Sequence, residues 1–401
     1  MAFDIAIVGG GLSGLALAAE FAQAEFSKLR VVVLEQRQSY VRDRTWSYWK
    51  TPQDPTHRYS HLERQQWTQW QVRQGDCTHR HASPASTNRD RDTSYCTLDG
   101  DAFYAAAQQA ISQSGHVEVR MGTPVRQIVS GPTPKVITVS GEEVSAQWVF
   151  DARPAPQSSV KGLVQQFVGY EIQTDQDVFD TETVELMHFQ PSAAGLHFFY
   201  VLPYGPRNAL IETTWISPAA LRPDFESELL HYIKKRIGSS KYDVLYTEKG
   251  SLGLCPSHAA ANTALHIAPL GRNAGTLRAS TGYAFLETLI HTRQIAKSLK
   301  RHMQIGELRN WLPPTFTRSA LDATMDTVFL KVLARDWSES SGFFMQLFER
   351  VDADTLVAFL SGKADWRQRL SVAGALPVLP FAAQALSMCL DWVPRLKAPR
   401  P

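Results

Sequence analysis

The chain has 401 residues, 44% of them hydrophobic and 20% charged, with a formal net charge of +2. That length suggests two or three subdomains, and the balance is ordinary for a folded globular protein. It leaves no global basic field to gather nucleic acid. The local clusters Lys234, Lys235, Arg236 and Arg395, Lys397, Arg400 read as solvated faces. Cys77, Cys96, Cys255 and Cys389 form no CxxC pair, and no His stands at zinc-ligand spacing from them. Neither a disulfide framework nor a metal site is therefore expected, and a reducing compartment, the cytoplasm, is. Met1-Ala2-Phe3 runs straight into a strand pattern, so no signal peptide is read. No window reaches the ~20 apolar residues of a membrane span.

In chain order, Phe3 to Val8 predicts a buried parallel strand, and Gly9-Gly10-Gly11-Leu12-Ser13-Gly14 follows directly. Residues 15–26, rich in Ala and Leu, read as a helix, and 30–34 as a second buried strand ending on Glu35. Gly9, Gly11 and Gly14 complete GxGxxG, with Leu12 and Ser13 in the same turn. Gly9 permits the tight turn, Gly11 lets backbone approach a pyrophosphate, and Gly14 lets the helix pack closely on the strand. The helix N-terminus offers unpaired N–H groups to that pyrophosphate. Glu35, about 20 residues past the last glycine, is placed to accept hydrogen bonds from a ribose, that of FAD's adenosine half or of NAD. Arg37 keeps an NADP 2′-phosphate open as an alternative.

Trp46, Tyr48, Trp49, His57, Tyr59, His61, Trp67 and Trp70 crowd one stretch, which lines an apolar pocket or stacks in a core. Residues 99–114 read as a capped helix, 117–128 as a returning strand, and 136–139 and 147–153 as further strands. The ending Asp151-Ala152-Arg153 marks the return to the dinucleotide domain. Residues 164–171, 184–188, 196–202 and 208–216 predict an antiparallel substrate sheet. In it, Glu212 sits among apolar neighbours. On the residues alone it reads as facing solvent from the outer side; buried, it would keep its proton longer and serve as an acid. His266 to Gly271 looks like a strand entering a glycine turn. Thr281-Gly282-Tyr283 then opens a helix over 284–302, with Thr281 as N-cap and Gly282 permitting close backbone approach. This second strand–glycine–helix unit favours FAD over NAD. The tail is helical, with patterns at 319–337 and 342–359. Residues 371–396 contain Pro377, Pro380, Pro394, Gln384 and Asp391 and so do not span a bilayer. They pack in a core, lie on a membrane surface or line an apolar tunnel.

Several of these stretches, taken in order, resemble the bacterial flavoprotein lycopene β-cyclases. They are the strand and glycine loop, Thr45-Trp46-Ser47-Tyr48, Gln166-Phe167-Val168-Gly169-Tyr170-Glu171, Tyr200-Val201-Leu202-Pro203 with Leu210-Ile211-Glu212, and Gly271 with Thr281-Gly282-Tyr283. Near the end, Phe343 to Phe348 and Leu356 to Leu360 resemble the family's C-terminal helices. The resemblance covers nearly the whole chain. It implies an α/β fold: a Rossmann-type FAD-binding domain (1–50, 99–155, 255–305), an antiparallel β substrate domain (51–98, 156–254) and a helical C-terminal region (306–401).

The resemblance also implies an intramolecular lyase of the isomerase class that closes the ψ-end groups of lycopene into β-ionone rings. The reaction is redox-neutral but uses reduced FAD, with NAD(P)H as the electron source. An acid protonates the terminal double bond, an internal double bond attacks the cation, and loss of a proton closes the ring. Glu212 aligns with the first acid of the family's acidic pair, so the resemblance makes it the general acid/base in place of the solvent-facing reading. It places Arg44, Gly271, Thr281, Gly282 and Tyr283 with the cofactor, and Trp46, Tyr48 and Thr213 in the substrate pocket. A carotenoid or other isoprenoid is the implied partner, with no nucleic acid and no metal, in a cytoplasmic protein with peripheral membrane contact. Three positions depart from the family pattern: Arg44 replaces His, His188 replaces Asp, and Thr213 replaces the second acid. These leave open another isoprenoid substrate or an altered product; the glycine loop and Glu35 would equally serve an FAD-dependent hydroxylase or prenyl reductase, while the intact glycine loop argues against a carrier without turnover.

Overall fold

The structure, a computed structural model, describes residues 3–52, 54, 57–83, 92–154, 162–255 and 264–392, with side chains to Met388. Pro394, Arg395, Lys397 and Arg400, and the side chains of Cys389 and Asp391, lie outside the described residues.

The first sheet runs in the order Val117–Arg120, Val31–Leu34, Phe3–Val8, Glu143–Asp151, all parallel, with Ile267–Pro269 parallel on the last strand. The first half of Glu143–Asp151 instead pairs antiparallel with Lys135–Thr138, and that strand with Val125–Val129. Helices Leu12–Phe21, Gly100–Ser112 and Phe285–His302 pack Leu15, Phe103 and Ile295 against Ile5, Ile7 and Val33. Val136 and Val144 pack against Ala6, Val8 and Val32 on the other side. Both faces of the central strands are therefore dry, which is why FDIAIV and VVVL are unbroken apolar runs.

The second sheet has the order Tyr242–Leu254, Leu163–Thr174, Asn208–Pro218, Leu196–Gly205, Thr183–Gln190, Gln69–Gln74, Cys77–Ala82. All its pairs are antiparallel except Thr183–Gln190 with Gln69–Gln74. Helix Phe225–Ile237 covers one face, packing Leu229 and Ile233 on Ala209 and Ile211. The other face, with Leu210 and Ile216, meets the C-terminal helices Ala320–Leu333, Trp337–Arg350, Ala353–Leu360 and Trp366–Ala375. A small sheet of Thr45–Lys50, Ser94–Asp99 and Gln65–Trp67 joins the layers and runs across the 50/51 and 98/99 divisions expected from sequence.

The differences from expectation have local causes. The first helix starts at Leu12 and stops at Phe21, followed by a separate 3₁₀ turn. Residues 117–128 are two strands, broken where Gly122 takes φ 63°. Asp99 holds the N-cap position but does not cap the helix; its carboxylate pairs with Arg42 and Arg64. Thr281 is not an N-cap. Its hydroxyl accepts from the Tyr283 N–H at 3.3 Å within a turn closed by Gly282 N–H donating to the Arg278 carbonyl, and the helix begins only at Phe285. The tail patterns split where Asp336 and Asp352 cap new helices. Residues 371–375 and 378–392 belong to helices Trp366–Ala375 and Val378–Trp392, bent by 119° at the break between them. Among the described residues no single helix is long and apolar enough to cross a membrane.

Candidate active site

One cavity of about 1280 Å³ runs from the glycine turn, across the face of the second sheet, to the C-terminal helices. At the dinucleotide end its wall carries Gly9, Gly11, Leu12, Ser13, Glu35 and Arg44, and the late loop adds Gly271, Thr281, Gly282 and Tyr283. Gly9 needs its freedom, at φ 99°. Gly14 lies beneath the turn, where a Cβ would stand 1.9 Å from the Gly9 carbonyl oxygen, so helix and strand can approach only through a glycine. A Cβ on Gly11 would meet nothing within 4 Å, because the space it faces is the cavity. Gly271, at φ 62°, would drive a Cβ to 2.5 Å from Ser13 Oγ, so the late loop closes directly onto the first helix's N-terminus.

Glu35 is buried and accepts from the Gly10 N–H at 2.6 Å and the Arg37 N–H at 2.8 Å. Burial pushes its carboxyl up, but hydrogen bonds from the Arg37 side chain and backbone and from Gly10 outweigh it and hold the group below its usual range. Arg37 itself is engaged by Glu35, Asp43 and the Gly10 carbonyl and lies over the Tyr40 ring. Its guanidinium is thus already committed to carboxylates, which weakens the case for a 2′-phosphate. Arg44 pairs with Asp43 and stays half exposed at the wall. A helix N-terminus with open space before Gly11, a seated acid after the second strand and a late loop folded over both fit an FAD adenosine and pyrophosphate.

At the other end the wall is apolar: Phe167, Phe198 and Ile216 from the sheet, Val328, Phe344 and Phe381 from the helices, and Trp46 at the junction. Glu212 enters this wall. It is 8% exposed, and Thr214 donates its hydroxyl to the carboxyl at 2.7 Å. Burial first, then the neighbouring Glu248, raise it well above the usual carboxylate range, which favours its protonated form. The solvent-facing reading of Glu212 fails because the strand Asn208–Pro218 is covered on both faces.

Two expected pocket residues lie elsewhere. Thr213 alternates to the far face, where it bonds His197 at 2.9 Å and Glu228, on helix Phe225–Ile237, at 3.1 Å. Tyr48 is buried off the cavity, stacked on Phe285 with its hydroxyl donating to Glu63 at 2.8 Å. His188 also faces away, its Nδ1 2.9 Å from the Tyr232 hydroxyl.

Sequence reasoning passed over four side chains of the site, Ser47, Tyr95, Tyr200 and Glu248. Tyr200 lies 2.9 Å from Ser47 Oγ and 2.8 Å from the Tyr95 hydroxyl, which Tyr283 reaches at 3.3 Å. Three of the motifs quoted above thus meet through Ser47, Tyr200 and Tyr283 at one hydroxyl cluster on the cavity floor, with Tyr95 at its centre. Burial drives the three phenols well above their ordinary range, so they remain neutral. Glu248, 5% exposed on Tyr242–Leu254, is the other omission. An acid alternating with Tyr246 and Gly250 was the available signal, in a stretch not read as a strand.

Rossmann layer, antiparallel sheet and late loop together define the fold of FAD-dependent flavoproteins. The fold matches a geranylgeranyl bacteriochlorophyll reductase-like protein of Thermoplasma acidophilum, with TM-score 0.60 and 14% identity over 93% of this chain and 96% of that one. It also matches a mutant of halogenase PltM in complex with FAD, with TM-score 0.58 and 12% identity over 93% and 86%. The sequence family described as lycopene cyclase protein matches residues 4–386. A lycopene beta-cyclase of Paracoccus sp. (strain N81106 / MBIC 01143) is 27% identical over 413 residues, 99% of each chain. The chain belongs to the lycopene cyclase family.

Proposed function

We propose that this chain closes the ψ-end groups of lycopene into β rings, with Glu212 as general acid and base and FAD held in the glycine-turn end of the cavity. The observation that carries this is a buried carboxyl, without an ion-pair partner among the described residues, in the apolar half of a cavity whose other half suits a dinucleotide. The Glu212 proton passes to the terminal alkene, breaking O–H and forming C–H. The internal double bond then attacks the tertiary cation to form the ring bond. The resulting cation loses a neighbouring proton to the Glu212 carboxylate, so acid and electrons balance with no net redox. Trp46 and Tyr283 offer π faces to the positive charge, and the aliphatic and aromatic wall keeps water from trapping it. Gly9 to Gly14, Glu35, Gly271 and Gly282 would hold the FAD. Bound in reduced form, with NAD(P)H as the proposed reductant, it would supply negative charge to stabilise the cation.

The test is expression in lycopene-accumulating cells. β-Carotene or γ-carotene is expected, and Glu212→Gln should drop conversion at least 10³-fold with FAD still bound. Unchanged lycopene beside folded, flavin-loaded protein overturns the reading. The reductase-like fold neighbour supports a second reading, an FAD oxidoreductase acting on a prenyl chain or a hydroxylase. Stoichiometric NAD(P)H consumption would distinguish it, because cyclisation needs only enough reductant to keep the flavin reduced. The proposed setting is the cytoplasmic face of a membrane, contacted by the exposed Val378, Leu379 and Leu386 of the last helix.

A further inference from the structure

We infer that Glu248 is the second carboxyl of the site, facing Glu212 across Gly169 so that the pair shares one proton, with Glu248 acting as a positioning residue that keeps Glu212 charged with its proton. This rests on the reading of Glu212 as the acid. The strand Leu163–Thr174 runs between the two glutamates, and its Gly169 is in register with Glu212 on one side and Glu248 on the other. Residues directly opposite on neighbouring strands point to the same face, so all three stand in one row. The outer two are about 9.5 Å apart at the backbone, two strand spacings. A side chain at the centre would separate them. Here a Cβ on Gly169 would lie 3.4 Å from Glu248 Cγ and 3.5 Å from Glu212 Cβ, so both side chains flank the space that the glycine leaves.

The surroundings do not neutralise the pair. Thr214 donates to Glu212 at 2.7 Å and Tyr246 to Glu248 at 3.0 Å, and the Tyr200 phenol lies near Glu212. Around Glu248 stand Thr45 and Arg42, which favour its ionised form, and Asp99, which opposes it. That arginine is bound to Glu171 at 2.7 Å and Asp99 at 3.2 Å. Among the described residues neither glutamate has an ion-pair partner within 4.0 Å. Two buried carboxylates on one sheet face with only a glycine between them disfavour each other's ionisation. Burial, and for Glu212 the second carboxyl too, push both groups upward. Glu248 does not line the cavity, so it acts on the reaction through Glu212. It also answers the departure at Thr213, whose side chain faces the other way: the second acid on Glu212's face of the sheet comes from a different strand.

The experiment uses the full-length, FAD-loaded protein. Infrared titration of the protonated carboxyl bands is run on wild type, Glu212→Gln, Glu248→Gln and Glu248→Asp, beside the pH–rate profile for lycopene cyclisation. Wild type should lose two buried protons in two steps above the usual carboxylate range. In Glu248→Gln the like charge is gone, so the remaining Glu212 band should titrate about one unit lower. The alkaline limb of the rate should move with it, lowering the rate at pH 8 about tenfold relative to its own maximum. Glu248→Asp should restore the two steps. The inference is overturned if Glu212 titrates at the wild-type pH in Glu248→Gln while flavin content and circular dichroism stay normal. If no protein yields a ring product, the acid reading fails, yet the infrared titration still decides the shared proton. If Glu248→Gln does not fold, a single-step titration in wild type or in Glu248→Asp overturns the pair.

Discussion

Gly11 and Gly14 occupy one turn, yet the space around them differs, and the difference separates folding from binding. A methyl on Gly14 collides with backbone at 1.9 Å, so Gly14→Ala should lower stability by about 2–3 kcal/mol in the cofactor-free protein. Gly11 has φ −75°, which alanine tolerates, and its methyl would enter empty cavity. Gly11→Ala should leave the cofactor-free melting temperature unchanged or slightly raised, while weakening FAD binding at least tenfold. Differential scanning calorimetry and flavin titration check both; wild-type FAD affinity in Gly11→Ala would place the pyrophosphate elsewhere. Glu212 shows the reverse tension. Its folded-state pKa lies above the unfolded value, so the folded form holds a proton that the unfolded chain has released, and stability falls as pH rises above about 4.5. Glu212→Gln lacks this slope. Its melting temperature should exceed wild type's by a margin that grows from pH 5 to pH 8, even as cyclisation is lost.

At the scale of elements, what was legible followed burial. Phe3–Val8 and Val31–Leu34 were readable because both faces are covered and the apolar run is unbroken. Gln69–Gln74 and Cys77–Ala82 were not: at the outer end of the second sheet the first carries only the short alternation of Trp70 and Val72, and the second carries Thr, His and Arg in place of apolar residues. The resemblance places Thr213 in the pocket beside Glu212, but strand alternation sends adjacent side chains to opposite faces. Glu248 and Gly169 became meaningful only through register, which joins residues 79 apart and is invisible to any short window. Register also explains Glu171. It lies on the same central strand and receives Arg64 at 2.7 and 2.9 Å and Arg42 at 2.7 Å, tying the loop after the second strand and the small sheet to the large one. Burial pushes its carboxyl up, but hydrogen bonds from Arg64 and Arg42 bring it down to about 2. Because the folded value is depressed, its stabilisation is present above about pH 4.5 and is lost as pH falls through 2. Glu171→Gln leaves two arginines without their shared partner and should cost about 3 kcal/mol at pH 7. The gap from wild type should narrow steadily between pH 4.5 and pH 2 in acid-dependent urea melts; a gap that is flat with pH would show that packing, not charge, holds the junction.

Across the whole molecule, the cavity joins a polar end made of loops to an apolar end roofed by the tail. The roof is anchored by buried charge: Arg278, beside the late loop, pairs with Asp326 of Ala320–Leu333 at 3.2 Å, and Ser280 donates to the same carboxylate at 2.7 Å. Arg369 holds Asp322 at 2.8 and 3.0 Å, fixing Trp366–Ala375 to that same helix. The last helix is different. Val378, Phe381, Ala382 and Ala385 edge the cavity, while Leu379 and Leu386, two turns apart, are 83% and 64% exposed. The proposed carotenoid substrate would reside in lipid, so exposed leucines on a helix that edges the cavity would suit transfer from a bilayer better than from water. Burying two leucines in lipid is worth about 2–4 kcal/mol. The double variant Leu379→Glu/Leu386→Glu should therefore lower vesicle co-sedimentation at least tenfold and slow turnover of vesicle-dissolved lycopene to match. Turnover of lycopene presented in detergent micelles should stay within twofold of wild type, because neither side chain lines the cavity. Equal losses in both media would mean the substitutions had distorted the roof, and undiminished vesicle binding would remove the last helix as the point of contact.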